Sequence, residues 1–222
     1  MGNSGKLTDL QVLVLQHLAG IEPPWTLVGG AALAGVHLAH RQTRDLDLFW
    51  RGMQALEELT KIAIGRIEAA RLQVKTLQSG PTFARLRVAD EREVVIVELV
   101  CEPSAALVAD ETVTVGDQVI RVASRHDILV DKLCALLGRS ELRDLIDVQA
   151  LIEAGADLGR AIHDAPRKDA GFSPLTLAWV LESLDPESLA AAADLDDDET
   201  EGLVRFRDEL ITILVNSARP AE

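Results

Sequence analysis

The sequence has no tyrosine, four phenylalanines and three tryptophans in 222 residues. Stacking of bases on aromatic platforms is therefore not a theme of this chain. It has only two cysteines, Cys101 and Cys134, in apolar contexts and without metal-ligand spacing. They are expected as buried free thiols in a reducing cytosol, with a structural disulfide as the alternative. No uninterrupted apolar run of about 18 residues occurs, so no membrane span is expected. The start, Met1–Lys6, lacks an apolar core behind a basic end, and Lys6 stands where a myristoylation signal wants Ser or Thr. Neither a signal peptide nor a lipid anchor is expected, and a cytoplasmic location follows. Excess positive charge is missing too: the net charge is −14. A protein that coats nucleic acid through its general field would be basic, so any such contact must come from a local patch.

What is present is a globular mixture, 48% hydrophobic and 26% charged. That is ample for a core and excludes disorder over most of the chain. The charge is uneven. Residues 1–150 carry −4 and residues 151–222 carry −10, with Asp194, Asp196, Asp197, Asp198 and Glu199 supplying half of the latter. Between Lys61 and Arg87 the sign reverses: Lys61, Arg66, Arg71, Lys75, Arg85 and Arg87 face Glu68 alone, a net +5.

Leucines and valines at helical spacing predict a helix over Leu7–Ala19. Trp25–Val28 reads as a short strand running into Gly29-Gly30, Ala31–His40 as a helix, and Asp45–Trp50 as a strand. Met53–Arg71 reads as a helix, and Leu72–Leu77, Thr82–Val88 and Val94–Val100 as strands, the last a central one. Thr112–Val115 and Gln118–Val122, joined by Gly116-Asp117, form a hairpin signal. From Ser124, with Asp127 three residues on, the pattern turns helical: Leu142–Glu153, Ser173–Leu184, Pro186–Ala193 and Glu199–Ser217. The fold class is therefore α/β (α+β): a mixed sheet with flanking helices over residues 1–122, then a helical bundle over 123–222.

The informative segment is Val28-Gly29-Gly30 followed by Asp45-Leu46-Asp47. Glycines at a strand-to-helix junction let a phosphate approach the backbone N–H groups closely. Period-two alternation puts both carboxylates on one face of the sheet. Two carboxylates so close repel unless a cation sits between them, and hard oxygen donors of this kind suit magnesium together with substrate phosphates. A triphosphate cradle beside a two-carboxylate metal site is what nucleotidyl transfer needs. Glu98 interrupts an otherwise apolar strand and is the candidate third acid, either as a ligand or as general base.

These residues resemble a known family. Gly29-Gly30-Ala31-Ala32-Leu33 followed by His40-Arg41-Gln42-Thr43-Arg44-Asp45-Leu46-Asp47-Leu48-Phe49 is similar to the opening motif of the AbiEii/AbiGii toxins, which are DNA-polymerase-β-like nucleotidyltransferases. Asp131-Lys132-Leu133-Cys134-Ala135-Leu136, Arg139 and Arg143-Asp144-Leu145-Ile146-Asp147-Val148 resemble the family's second motif. The resemblance implies that Gly29 and Gly30 hold a triphosphate, and that Asp45 and Asp47 bind magnesium, two ions with Glu98 as third ligand. It implies that Lys132 contacts nucleotide phosphates and that Asp144 helps order the active site. Superfamily members often carry a serine near the glycine pair; here Ala31 follows, and Thr43 can supply the hydroxyl. Arg41 is a further nucleotide-contact candidate. The family implies a bacterial toxin of a type IV toxin–antitoxin pair, with an antitoxin partner, and transfer of an NMP from an NTP to the 3′ end of tRNA.

Each residue also has a structural reading. The glycine pair can be a turn, Asp45 and Asp47 a solvated strand edge, and Lys132 a snorkelling lysine. Arg139, Arg143, Asp144 and Asp147 can form helix ion pairs. His40-Arg41 at a helix end suits the dipole. Trp25, Trp50 and Trp179 are expected in the core, and His17, His37, His126 and His163 as structural. The rival functions are nucleotidyl transfer to a protein (AMPylation) or to a small molecule such as an antibiotic, and a non-catalytic binding protein on the same fold.

Overall fold

The computed structural model describes residues 7–193 and 195–219. The expectations for Met1–Lys6 and for Asp194 lie outside the described residues. The chain divides into two compact units, one up to Ser124 and one from Arg125.

The first unit is built on a seven-stranded sheet. Its elements are α1 (Asp9–Leu18), β1 (Thr26–Val28), a π-helix (Ala31–His37), β2 (Asp45–Arg51), α2 (Glu57–Ala69), β3 (Gln73–Ser79), β4 (Phe83–Ala89), β5 (Val94–Glu102), β6 (Glu111–Val115) and β7 (Gln118–Val122). The strand order is β3-β4-β5-β2-β1-β7-β6. The sheet is mixed: β2 runs parallel to β5 and β1 parallel to β7, while the other neighbours are antiparallel. Alternation in sequence becomes alternation in burial. Leu46, Leu48 and Trp50 of β2 point into the core, as do Leu86 and Val88 of β4 and Val95, Val97 and Leu99 of β5. Asp45, Asp47 and Glu98 stand on the opposite, half-exposed face. Leu10, Val14, Leu15 and Leu18 of α1 are buried, and so are Leu59, Ala63 and Ile67 of α2. The helix α1 lies against β5 and α2, and α2 against β3. The fully buried Trp50 donates its indole N–H to the Pro23 carbonyl at 2.8 Å, so its polar atom is satisfied.

The second unit is helical: α3 (Arg125–Arg139), α4 (Leu142–Glu153), α5 (Leu158–Asp164), α6 (Pro174–Glu182), α7 (Pro186–Leu189) and α8 (Asp197–Ser217). Single 3-10 turns, Ala165–Arg167 and Ala190–Ala193, follow α5 and α7. α3 packs on α4, α5 and α6, and α8 on α6 and α7. Asp157, Ser173, Asp185 and Asp196 are N-caps whose side chains accept backbone N–H bonds.

Several expectations are corrected. The helix after the glycine pair is π-wound and stops at His37; Leu38 donates its N–H to the Leu33 carbonyl and Ala39 has φ +53°. His40-Arg41 therefore does not end a helix. The helix α5 had no strong apolar stripe and was not expected. The helix α8 starts two residues before the expected Glu199, with Asp197, Asp198 and Glu199 in its first turn, where they suit the helix dipole, and Asp196 with Glu199 makes a capping box. Trp179 is 67% exposed rather than in the core. Both cysteines are free, Cys101 buried and Cys134 only half-buried; burial pushes the Cys134 thiol up to about 12. Among the described residues no helix is long and apolar enough to cross a membrane.

Candidate active site

The first unit brings the opening motif together around the glycine pair. β1 ends at Val28, which lies opposite Asp47 in the antiparallel register with β2. Gly29 has φ +63°, and a Cβ built there would stand 2.1 Å from Asp47 Oδ2. Two independent reasons thus demand glycine: the left-handed backbone and the carboxylate packed over it. At Gly30 a Cβ would meet Arg41 Nη2 at 3.0 Å and Thr43 Oγ1 at 3.2 Å. Gly29, Gly30, Arg41, Thr43 and Asp47 therefore share one patch. The helix that leaves it is π-wound, a form frequent at functional sites.

The carboxylates follow from strand register. Asp45 and Asp47 lie two residues apart on β2, and Asp47 sits beside Glu98 of the parallel β5. Glu98 in turn lies opposite Arg85 of β4. Arg85 holds that carboxylate: Nε donates to Glu98 Oε1 at 2.8 Å, and Nη2 forms a second, shorter contact. Among the described residues no group of three or more His, Cys, Asp or Glu side chains stands close enough to hold a metal ion. The oxygens over the glycine pair are those of Asp47 at Gly29 and Thr43 at Gly30, and Asp45 lies two residues before Asp47 on the same face of β2. Two carboxylates suit magnesium, which keeps waters and takes its remaining ligands from substrate phosphates. Glycine at position 29 leaves room for the Asp47 carboxylate that such an ion needs.

The second motif lies in the helical unit. Lys132 is buried on α3, and its Nζ stands 2.7 Å from Asp144 Oδ1 and 2.7 Å from Asp147 Oδ2 of α4. Arg139 adds two bonds to Asp144, from Nε at 2.8 Å and Nη2 at 2.9 Å. Arg143 pairs with Glu141 at 2.7 Å. Burial alone would raise the Asp144 pKa, but the bonds from Arg139 and the charge of Lys132 hold it below the ordinary carboxylate value. An ammonium has three donors, and the two carboxylates occupy two of them.

The basic stretch is partly engaged in structure. Lys61 pairs with Glu58, and Arg66 caps the end of α1 through the Ala19 and Gly20 carbonyls. Lys75 and Arg87 are placed differently. The register runs Asp45 (β2), Ile96 (β5), Arg87 (β4), Lys75 (β3) straight across the sheet, so two cations stand on the face that carries the aspartates. Sequence reasoning passed over Gln11. The Thr8-x-x-Gln11 spacing signals a helix start, but nothing in the sequence shows that Gln11 Nε2 donates to the Thr43 carbonyl at 3.0 Å.

Comparison with known proteins gives the chain's family and the likeness of its fold. A family model for the nucleotidyl transferase AbiEii toxin of type IV toxin–antitoxin systems matches residues 13–213. No curated protein matches. The crystal structure of JHP933 from Helicobacter pylori superposes with a TM-score of 0.54 at 19% identity, covering 96% of this chain and 96% of that one. An antigenic nucleotidyltransferase-like protein from Paracoccidioides brasiliensis gives 0.52 at 18% identity, covering 87% and 94%.

Proposed function

This chain belongs to the AbiEii nucleotidyl transferase toxin family and is a nucleotidyltransferase, and from that premise we propose that it transfers an NMP from an NTP to the 3′ end of tRNA. The observation that carries the reading is the Asp47 carboxylate packed over Gly29, beside Arg41 and Thr43. In this reading the Gly29 and Gly30 backbone, the Arg41 guanidinium and the Thr43 hydroxyl hold the triphosphate. Asp45 and Asp47 would hold magnesium, which when bound neutralises phosphate charge and aligns in-line attack. The acceptor hydroxyl releases its proton to solvent as its oxygen bonds to the α-phosphorus, the bond from that phosphorus to the bridging oxygen breaks, and pyrophosphate leaves with the electron pair. In place of the expected third metal ligand or general base, we assign Glu98 to holding Arg85 against the acceptor's negative charge, since Arg85 engages its carboxylate and no third acid joins Asp45 and Asp47 among the described residues. Lys132 and Asp144 keep the roles that the family resemblance implies, Asp144 fixing the lysine ammonium.

A polynucleotide acceptor is supported by Arg87 and Lys75, in line across the sheet from Asp45. A surface with a net charge of −14 behind it needs such a local row to bring phosphates near the aspartates. The family implies a cognate antitoxin protein as partner and a toxin's role in a bacterial cell. The test is to incubate purified protein with each labelled NTP, magnesium and total tRNA, and to separate RNA, protein and small-molecule fractions. Label at RNA 3′ ends supports the reading. Label confined to protein or to a small molecule replaces the acceptor, and no label in any fraction defeats the transfer reading.

A further inference from the structure

We propose that Gln11 of α1, which lies outside both sequence motifs, is the positioning residue of the nucleotide cradle. The proposal rests on the nucleotidyl-transfer reading. Gln11 is fully buried, and both ends of its amide are engaged. Oε1 accepts the Thr8 backbone N–H at 2.9 Å, the Thr8 hydroxyl accepts the Gln11 N–H at 3.2 Å, and Nε2 donates to the Thr43 carbonyl at 3.0 Å. One side chain therefore closes the capping box of α1 and grips a segment 32 residues further on.

That segment needs a grip. Residues 38–44 join the π-helix to β2 without forming helix or strand. They carry Arg41 and Thr43, whose polar atoms stand over Gly30, and they lead directly into Asp45. The Thr43 carbonyl is two residues from Asp45, so the amide bond sets both the height of the Thr43 hydroxyl over the glycine pair and the entry of the chain into β2. The anchor is itself fixed: Leu10, next to Gln11, donates its N–H to the Glu93 carboxylate at 3.3 Å. A primary amide suits this task, since it offers an acceptor to the cap and a donor to the carbonyl at once. A buried carbonyl stripped of its donor would be unsatisfied, and the segment would shift to find another partner.

Three variants separate the two ends of the amide. Gln11→Glu keeps an oxygen for the Thr8 N–H, in the favoured Thr-x-x-Glu form of the capping box, but offers no N–H to Thr43. Gln11→Met keeps the length and loses both bonds. Thr8→Ala removes the hydroxyl half of the cap and leaves Gln11 Nε2 in place. The readouts are kcat and KM for NTP, thermal melting, and backbone amide exchange of residues 41–45. Both Gln11 variants should raise KM for NTP about five- to twenty-fold with kcat within about threefold, the mark of lost ground-state positioning. Exchange over 41–45 should be at least about tenfold faster. Thr8→Ala should lower the melting temperature while KM and exchange over 41–45 stay at wild-type values. Folded Gln11 variants with wild-type KM and exchange overturn the proposal, as does a Thr8→Ala that raises KM equally. Amide exchange needs no nucleotide: wild-type protein that binds no NTP defeats the transfer reading, whereas unchanged exchange in the Gln11 variants defeats this one.

Discussion

At the scale of single residues, the site is set by what each atom leaves room for. Gly29 has no substitute: a methyl would strike Asp47 Oδ2, and φ +63° strains any other residue. Gly29→Ala should cost about 1–3 kcal/mol in urea unfolding and at least about a hundredfold in transfer rate, because it displaces the carboxylate proposed to hold magnesium. The buried Lys132 sits between Asp144 and Asp147, and Lys132→Met removes the ammonium from between two buried acids while Arg139 stays bonded to Asp144. A loss of about 3–5 kcal/mol in urea unfolding is the expected result. Acid sensitivity follows from the same group. Asp144 has its pKa lowered in the folded state, so its stabilisation is complete above the ordinary carboxylate value and is lost as pH falls through the lowered one. Melting temperature should fall on acidification below about pH 4. In Lys132→Met fewer charges oppose burial, the Asp144 carboxyl is less depressed, and the acid-dependent fall in melting temperature should be smaller than in wild type. The sequence identified these residues through their motifs. It could not show that Lys132 is clamped by two acids, or that Arg85 holds Glu98, because partners far apart in sequence meet only through register and helix packing.

At the scale of elements, alternation and glycine-aspartate punctuation made the sheet legible. β2, β4 and β5 lie within two residues of where their apolar periodicity places them, and α4 spans the expected Leu142–Glu153. The seven-residue π-helix was not legible, because Ala, Leu and Gly fill either helix type and the choice is made by how the chain returns to β2. Residues 38–40 consequently read as the end of a helix, and the tether of Thr43 to α1 was invisible. Strand order carries the next expectation. Lys75 and Arg87 are neighbours on β3 and β4, in a row with Asp45. The double variant Lys75→Glu, Arg87→Glu should raise KM for an RNA acceptor about tenfold or more. It should also flatten the salt dependence of RNA binding by roughly one unit of slope per cation, with KM for NTP unchanged. Fluorescence titration of labelled RNA over a salt series measures the slope; an unchanged slope removes these residues from the acceptor path.

At the scale of the whole molecule, charge that seemed to oppose a nucleic-acid substrate is sorted by unit and by task. Much of the C-terminal excess begins α8, where acids stabilise the helix start, and the acids of the first unit include the pair expected to meet a metal. The family model spans both units, residues 13–213, so the sheet with its glycine pair and the helical unit with Lys132 and Asp144 belong to one enzyme. If Asp45 and Asp47 hold the metal, nucleotidyl transfer depends on both β2 aspartates. The most direct measurement is the initial rate of label transfer from NTP to tRNA, for wild type, Asp45→Asn and Asp47→Asn with magnesium, and for wild type with a chelator. Rapid RNA labelling is expected only in wild type with magnesium, with each asparagine variant folded and slower by at least about a hundredfold. Labelling that survives in folded Asp47→Asn, or that proceeds unchanged in chelator, would contradict it.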